Sequence, residues 1–231
     1  HAVRPLHAAL VPLVSDDPLP PALQGLALHD VRVALWADAR RIAATEGDIL
    51  FTHFGISGPA LLALSGAAVE ALDAALPAEI ALDLRPHLDD GALDRELVRL
   101  FAAAPRRALR GVLAEFAPQR FIEAIIARAG IPPDQSAGAT ASAQRKRLRI
   151  LLKDLRLRLT AHQGLGVAMV TAGGIALDEV APRTLASRRI AGLYFAGEVL
   201  DIAGDTGGFN LHAAFATGTL AGRSATRNPK K

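Results

Sequence analysis

The chain has 231 residues, 51% of them hydrophobic and 21% charged, the balance of a globular protein with one large domain or two small ones. It has no cysteine, which excludes a disulfide framework, a thiolate zinc site, an iron–sulfur cluster and a cysteine nucleophile. Twenty-six basic and 23 acidic side chains leave a net charge of +3, a mild excess that, unless clustered, says little about nucleic acid.

Residues 8–14 form an apolar run closed by a turn cluster at 15–18, and residues 26–35 alternate from Asp30 onward as a half-buried strand does. Gly47 and Asp48 predict a turn before a strand at 49–53. Ser57 is a candidate N-cap, and Gly58 followed by Pro59 suits the start of a helix running to about Leu76. Residues 79–84 read as another strand. From Asp89 to His162 the pattern turns helical, with apolar residues three and four apart, broken at Pro105, Pro118 and Gly130. The last of these helices is predicted over 143–157. Strand character returns at 167–171, followed by a tight turn at Ala172, Gly173 and Gly174. Residues 192–197 read as a short buried strand, 198–208 as a glycine-rich loop and 209–222 as a helix lined with small residues. The basic tail after Arg223 is expected to fray.

The closing strand–loop–helix carries the chemistry. Glycines let the backbone approach a ligand, and a helix start offers free N–H groups and partial positive charge. That arrangement suits a phosphate or the pyrimidine edge of a flavin. Glu198, Asp201 and Asp205 could accept hydrogen bonds from ribose or ribityl hydroxyls. An ordinary strand–loop–helix of an α/β fold has the same form, so these features alone name no cofactor.

Other signals are weaker. The seven histidines form no close pair, so no metal site is expected. Ser57 has a hydrolase-elbow look only until Pro59. The basic stretch 145–158 carries Leu148, Leu151, Leu152, Leu155 and Leu159 on one helical face, which reads as a core helix with a solvated basic side. Its other reading is a non-catalytic module that binds an acidic partner or nucleic acid, the less expected of the two. No apolar run reaches the ~20 residues of a membrane-spanning helix. With no signal-peptide pattern either, a cytoplasmic protein is expected. The single methionine, Met169, lies deep in the chain, so the sequence reads as an excised or processed part of a longer protein.

Four stretches, residues 48–59, 170–175, 192–201 and 204–211, resemble in order and spacing the bacterial BaiN/RdsA family of NAD(P)/FAD-dependent flavoprotein oxidoreductases, which includes aminoacetone-oxidase-like proteins. The resemblance implies a multidomain α+β and α/β architecture. A β-barrel-like domain would cover 1–88 and 164–191, and an inserted helical domain 89–163. Residues 192–231 would be the C-terminal part of an FAD domain of the two-dinucleotide-binding type. It implies FAD as cofactor, NAD(P)H as electron donor and a small-molecule acceptor or dioxygen. In family terms Thr171, Gly173, Gly174, Gly197, Glu198, Asp205, Gly207, Gly208, Phe209, Asn210 and Leu211 lie along the flavin. His53, Gly55, Ser57 and Gly58 lie on the substrate side. No residue stands out as catalytic acid or base. The family's G-x-G-x-x-G unit is not among these residues, which implies a partner N-terminal half and an isolated chain that is inactive. His212 stands where the family commonly has glutamine.

Overall fold

Alternation builds the barrel strands. The structure, a computed structural model, describes residues 1–227. Strand β3 (Ala27–Ala37) turns Val31, Val33, Leu35 and Ala37 inward and Arg32 and Trp36 outward. It pairs with β4 (Arg40–Phe51) through a reversal at Asp38 and Ala39, both in left-handed backbone at φ 49° and 59°. The turn expected at Gly47 and Asp48 does not form. Both lie inside β4, where the register with β3 slips between Leu28 and Val31. The slip absorbs the irregularity as a bulge, so β4 starts nine residues earlier than the predicted strand at 49.

With β2 (Leu13–Ser15), β5 (Gly55–Ser57), β6 (Ala78–Asp83) and β7 (Leu155–His162), these strands close a six-stranded antiparallel barrel in the order β2-β5-β4-β3-β6-β7. The apolar run at 8–14 is divided between two strands. Leu10, at φ 49°, breaks it between β1 (Val3–Ala9) and β2. A one-turn helix, α1 (Leu19–Ala22), follows. Helix α2 (Pro59–Asp73) starts at Pro59, but its N-cap is Gly58 at φ 102°, and Ser57 supplies no capping bond. Its Leu62 packs on the sheet that β1 forms with β8 (Val170–Ile175).

Four helices stand between β6 and β7: α3 (Asp90–Ala103), α4 (Leu109–Leu113), α5 (Gln119–Arg128) and α6 (Ser142–Lys153). Asp89 caps α3 by accepting from the Ala92 N–H at 2.6 Å. Their core is continuous with the barrel's, and the Phe51 and Phe121 rings stack across the junction at 6.1 Å. Helix α6 ends at Lys153, not at residue 157 as predicted. Leu155, Leu157 and Leu159 are buried at spacing two, so the barrel takes as its sixth strand a stretch expected inside the helical insert.

Two further expectations fail. Gly173 and Gly174 lie within β8 and not in a turn after it. Residues 192–197 form no strand, only a bridge from Tyr194 to Ala186 and hydrogen bonds of residues 187 and 195 to 193 and 185. A strand needs a ladder along its length, and residues 185–187 offer only that much. The last helix, α7 (Gly207–Arg227), continues through the segment expected to fray, while residues 228–231 lie outside the described residues. Among the described residues no helix is long and apolar enough to cross a membrane.

Candidate cofactor site

A cleft of about 270 Å³ lies between a one-turn helix at Gly197–Val199 and the first turns of α7. Its walls include Met169, Val170, Gly197, Glu198, Gly207, Asn210, Leu211 and Thr217. The structure thus gathers Gly197, Glu198, Gly207, Asn210 and Leu211, five of the residues placed along the flavin, in one cleft.

Local hydrogen bonds set its shape. Glu198 Oε1 accepts from the Thr171 N–H at 2.6 Å, which pins an exposed carboxylate against β8. Thr217 Oγ1 accepts from the Gly197 N–H at 2.9 Å and donates to the Ala213 carbonyl at 2.6 Å, tying the short helix to α7. Asn210 accepts from the Gly204 N–H at 2.9 Å and donates to the Gly204 and Thr206 carbonyls at 2.9 and 2.8 Å. Its side chain is spent on the loop before the helix and shapes the cleft without projecting into it. Thr217 escaped the sequence reading of the site. The only signal was its place among the small residues of the last helix.

At the start of α7, the N–H groups of Gly207 and Gly208 have no hydrogen-bond partner among the described residues. A Cβ on Gly207 would meet nothing within 4 Å. The backbone is therefore open to a ligand, and the helix end favours an anion or a polarised carbonyl there. These features fit the pyrimidine edge and ribityl chain of a flavin: two free donors, a fixed carboxylate with a second oxygen to spare, and walls of small and apolar residues. Phe209 and Leu211 are 65% and 64% exposed, and Asp205 is exposed in the loop. His212 faces away from the cleft, in a shallow groove with Phe215 and Arg223.

Gly173 and Gly174 serve packing. A Cβ on Gly173 would fall 2.2 Å from the Pro5 carbonyl oxygen, and one on Gly174 would fall 2.5 Å from that of Val199. The second contact seats the short helix of the cleft on β8, so Gly174 positions the site from behind.

The loop of His53, Gly55, Ser57 and Gly58 is tied to the barrel. Ser15 donates to the Phe54 carbonyl at 3.0 Å, and Thr52 and Gly55 bond each other at 2.9 and 3.0 Å. A Cβ would clash at Gly55 with the Leu13 carbonyl and at Gly58 with the backbone of Ile49. His53 is exposed, its ring edge-on to Phe54 at 4.9 Å. Asp48, at the start of this stretch, pairs with His29 at 2.8 Å. That hydrogen bond, aided by the Asp30 N–H, holds its carboxyl below the ordinary value.

The basic stretch is largely neutralised within the fold. Arg145 pairs with Asp94 at 3.0 Å, Arg149 with Asp90 at 2.9 Å and Lys153 with Asp83 at 2.6 Å. Arg156 pairs with Glu79 and Asp154, and Arg158 with Asp16.

A family model described as the HI0933-like protein barrel and H2TH domain matches residues 7–170, and one described as the HI0933-like protein Rossmann domain matches residues 152–224. The chain is 33% identical over 216 residues to the ribosomal RNA dihydrouridine synthase of Escherichia coli, covering 93% of this chain and 51% of that protein. It is 30% identical over 230 residues to the 3-dehydro-bile acid delta(4,6)-reductase of Clostridium scindens, covering 99% and 56%. It is 29% identical over 228 residues to the ribosomal RNA dihydrouridine synthase of Haemophilus influenzae, covering 97% and 53%. The chain spans about half the length of these curated relatives. Barrel, inserted helices and the cleft-lining turns of the last helix all fall within the matched residues, and the chain belongs to the HI0933-like family, the BaiN/RdsA group of FAD-dependent-oxidoreductase-like proteins.

Proposed function

We propose that this protein acts as an FAD-dependent oxidoreductase that reduces a carbon–carbon double bond conjugated to a carbonyl, with NAD(P)H as donor, in the cytoplasm. The names of the relatives support the acceptor class. Dihydrouridine is uridine reduced at a double bond conjugated to the ring carbonyl, and a delta(4,6) double-bond system beside a 3-oxo group is a conjugated dienone. When bound, flavin supplies the hydride relay between donor and acceptor. The chain's own residues bind and orient. The free N–H groups of Gly207 and Gly208 would stabilise negative charge on the pyrimidine edge. Glu198, fixed by Thr171, would accept from a ribityl hydroxyl, and Gly197 lets the backbone come close. Apolar Leu211 and Met169 would limit water at the ring.

The observation that carries this reading is the pair of unpartnered N–H groups at the start of α7 beside a carboxylate held in place. These 231 residues contain no G-x-G-x-x-G to grip the pyrophosphate, so alone they are expected to bind FAD weakly and to be inactive. Fused behind the N-terminal half of the Escherichia coli relative, they are expected to give a yellow protein that takes up FAD. A colourless fusion that cannot be reconstituted with FAD would sink the reading.

A further inference from the structure

A second cavity, of about 490 Å³, lies where the barrel meets the helical insert. None of its residues lines the cofactor cleft or belongs to the loop placed on the substrate side. It exists because two neighbouring strands part. The ladder between β3 and β6 ends at the Arg32–Asp83 pair. Continued in the same register it would set Val31 opposite Leu84, and then Asp30 opposite Arg85. It stops because Asp30 takes left-handed backbone at φ 53° inside the β3–β4 bulge, and because Pro86 has no N–H to offer. The segment 28–31 therefore keeps β4 as a neighbour and lines the cavity, with no partner from β6.

Each wall has its own fixture. Asp48 pairs with the His29 ring at 2.8 Å and accepts from the Asp30 N–H at 3.3 Å. Across the gap, Lys153 donates to the Arg85 and Leu88 carbonyls at 2.9 and 2.6 Å and to Asp83 at 2.6 Å. The Arg85 guanidinium donates to the Glu115 carbonyl at 2.9 Å and lies over the Phe116 ring, 4.8 Å from its centroid. Asp30 and Arg85 consequently form no ion pair with each other, and neither has another carboxylate or cation as partner among the described residues. The remaining charged groups of the walls are spent, His29 on Asp48 and Glu46 on Arg32 at 2.7 Å. The cavity keeps one uncommitted carboxylate, one uncommitted guanidinium and the His87 imidazole among apolar Leu28, Val31, Leu84 and Phe116.

We infer that this cavity binds a small amphipathic zwitterion, with its ammonium on Asp30, its carboxylate on Arg85 and its apolar body between them. Opposite charges held apart beside apolar walls match a molecule that carries both charges itself. A simple anion would satisfy Arg85 and leave Asp30 without a partner, and a simple cation would do the reverse. The planar guanidinium fork suits a carboxylate. Walls fixed by Asp48 and Lys153 keep the ordering cost of binding low.

The test is an NMR titration of the 231-residue polypeptide, read at the backbone amides of His29, Asp30, Gly47 and His87. The probes are two zwitterions, L-phenylalanine and 6-aminohexanoate, and their singly charged counterparts: phenethylamine and 3-phenylpropanoate, hexylamine and hexanoate. At least one zwitterion is expected to shift these amides and to bind about tenfold more tightly than either of its counterparts. Asp30→Asn keeps a side chain that tolerates the left-handed backbone, and is expected to lower that zwitterion to the affinity of its acid counterpart. Arg85→Gln is expected to lower it to the affinity of its amine counterpart. Any of four results overturns the inference: no shift of these amides by either zwitterion, a counterpart that binds as well, an Asp30→Asn variant of unchanged affinity, or variants that weaken all ligands alike. FAD uptake by the fusion plays no part in this readout, so the cavity and the reductase reading stand or fall separately.

Discussion

Thr217 uses both hydrogen-bonding capacities of its hydroxyl inside the fold, one on Gly197 and one on Ala213. Thr217→Val keeps the shape and leaves the half-buried Gly197 N–H without its acceptor, at a cost of about 1–2 kcal/mol. The loss falls on the joint that sets Glu198 against the start of α7. FAD affinity of the fusion is therefore expected to drop by about tenfold, the equivalent of ~1.4 kcal/mol. Thr217→Ser is expected to restore it. An unchanged titration for the valine variant would remove Thr217 from the site. The glycines show how far single residues were legible. Their restriction to glycine was readable from motif and spacing, but the cause was not. Gly207 is open to a ligand, whereas Gly55 and Gly173 are filled by the carbonyls of Leu13 and Pro5. Only spatial neighbours separate approach by a cofactor from approach by backbone.

At the scale of elements, the barrel and insert are clamped by Asp17, just before α1, and Arg128 at the end of α5. Arg128 Nη1 donates to Asp17 Oδ1 and Nη2 to Oδ2, each at 2.8 Å. Burial raises the Asp17 carboxyl. The hydrogen bonds from Arg128 and the Leu19 N–H, with the arginine's charge, outweigh it and hold the group below the ordinary carboxylate value. A carboxyl lowered on folding stabilises above the unfolded value near pH 4, and the contribution fades as pH falls through the folded one. Arg128→Gln is thus expected to cost about 1–2 kcal/mol at pH 7, discounted for the partial exposure of the arginine. The gap between thermal melts of wild type and variant should narrow as the pH falls below about 4, and a gap that stays constant into acid would contradict the clamp. Elements were legible where one periodicity ruled, as in α2, α3 and β3. They were misread where two periodicities coexist. Leu148, Leu152, Leu155 and Leu159 fit a helix, and Leu155, Leu157 and Leu159 fit a strand equally well. Barrel closure, a non-local pairing of β7 with β2 and β6, decides between them.

For the whole molecule, the architecture of barrel and helical insert was legible from motif order, because long stretches in fixed sequence constrain topology more than propensity does. The insertion boundary was not, since β6 and β7 pair across an insert of about 70 residues. One core runs through barrel and insert, so the two are expected to melt together. Helix α7 stands apart from that core. Of its 21 residues only Ala221 is buried, and Phe215, 75% exposed, lies one turn on from Leu211, 64% exposed. A ridge of this kind makes the isolated polypeptide sticky, because water left around such side chains is released when two ridges meet. Light scattering is expected to rise with protein concentration and to fall for Phe215→Asp, and scattering that ignores the substitution would place the stickiness elsewhere. Colloidal behaviour in the tube would then report on the same helix that lines the cofactor cleft.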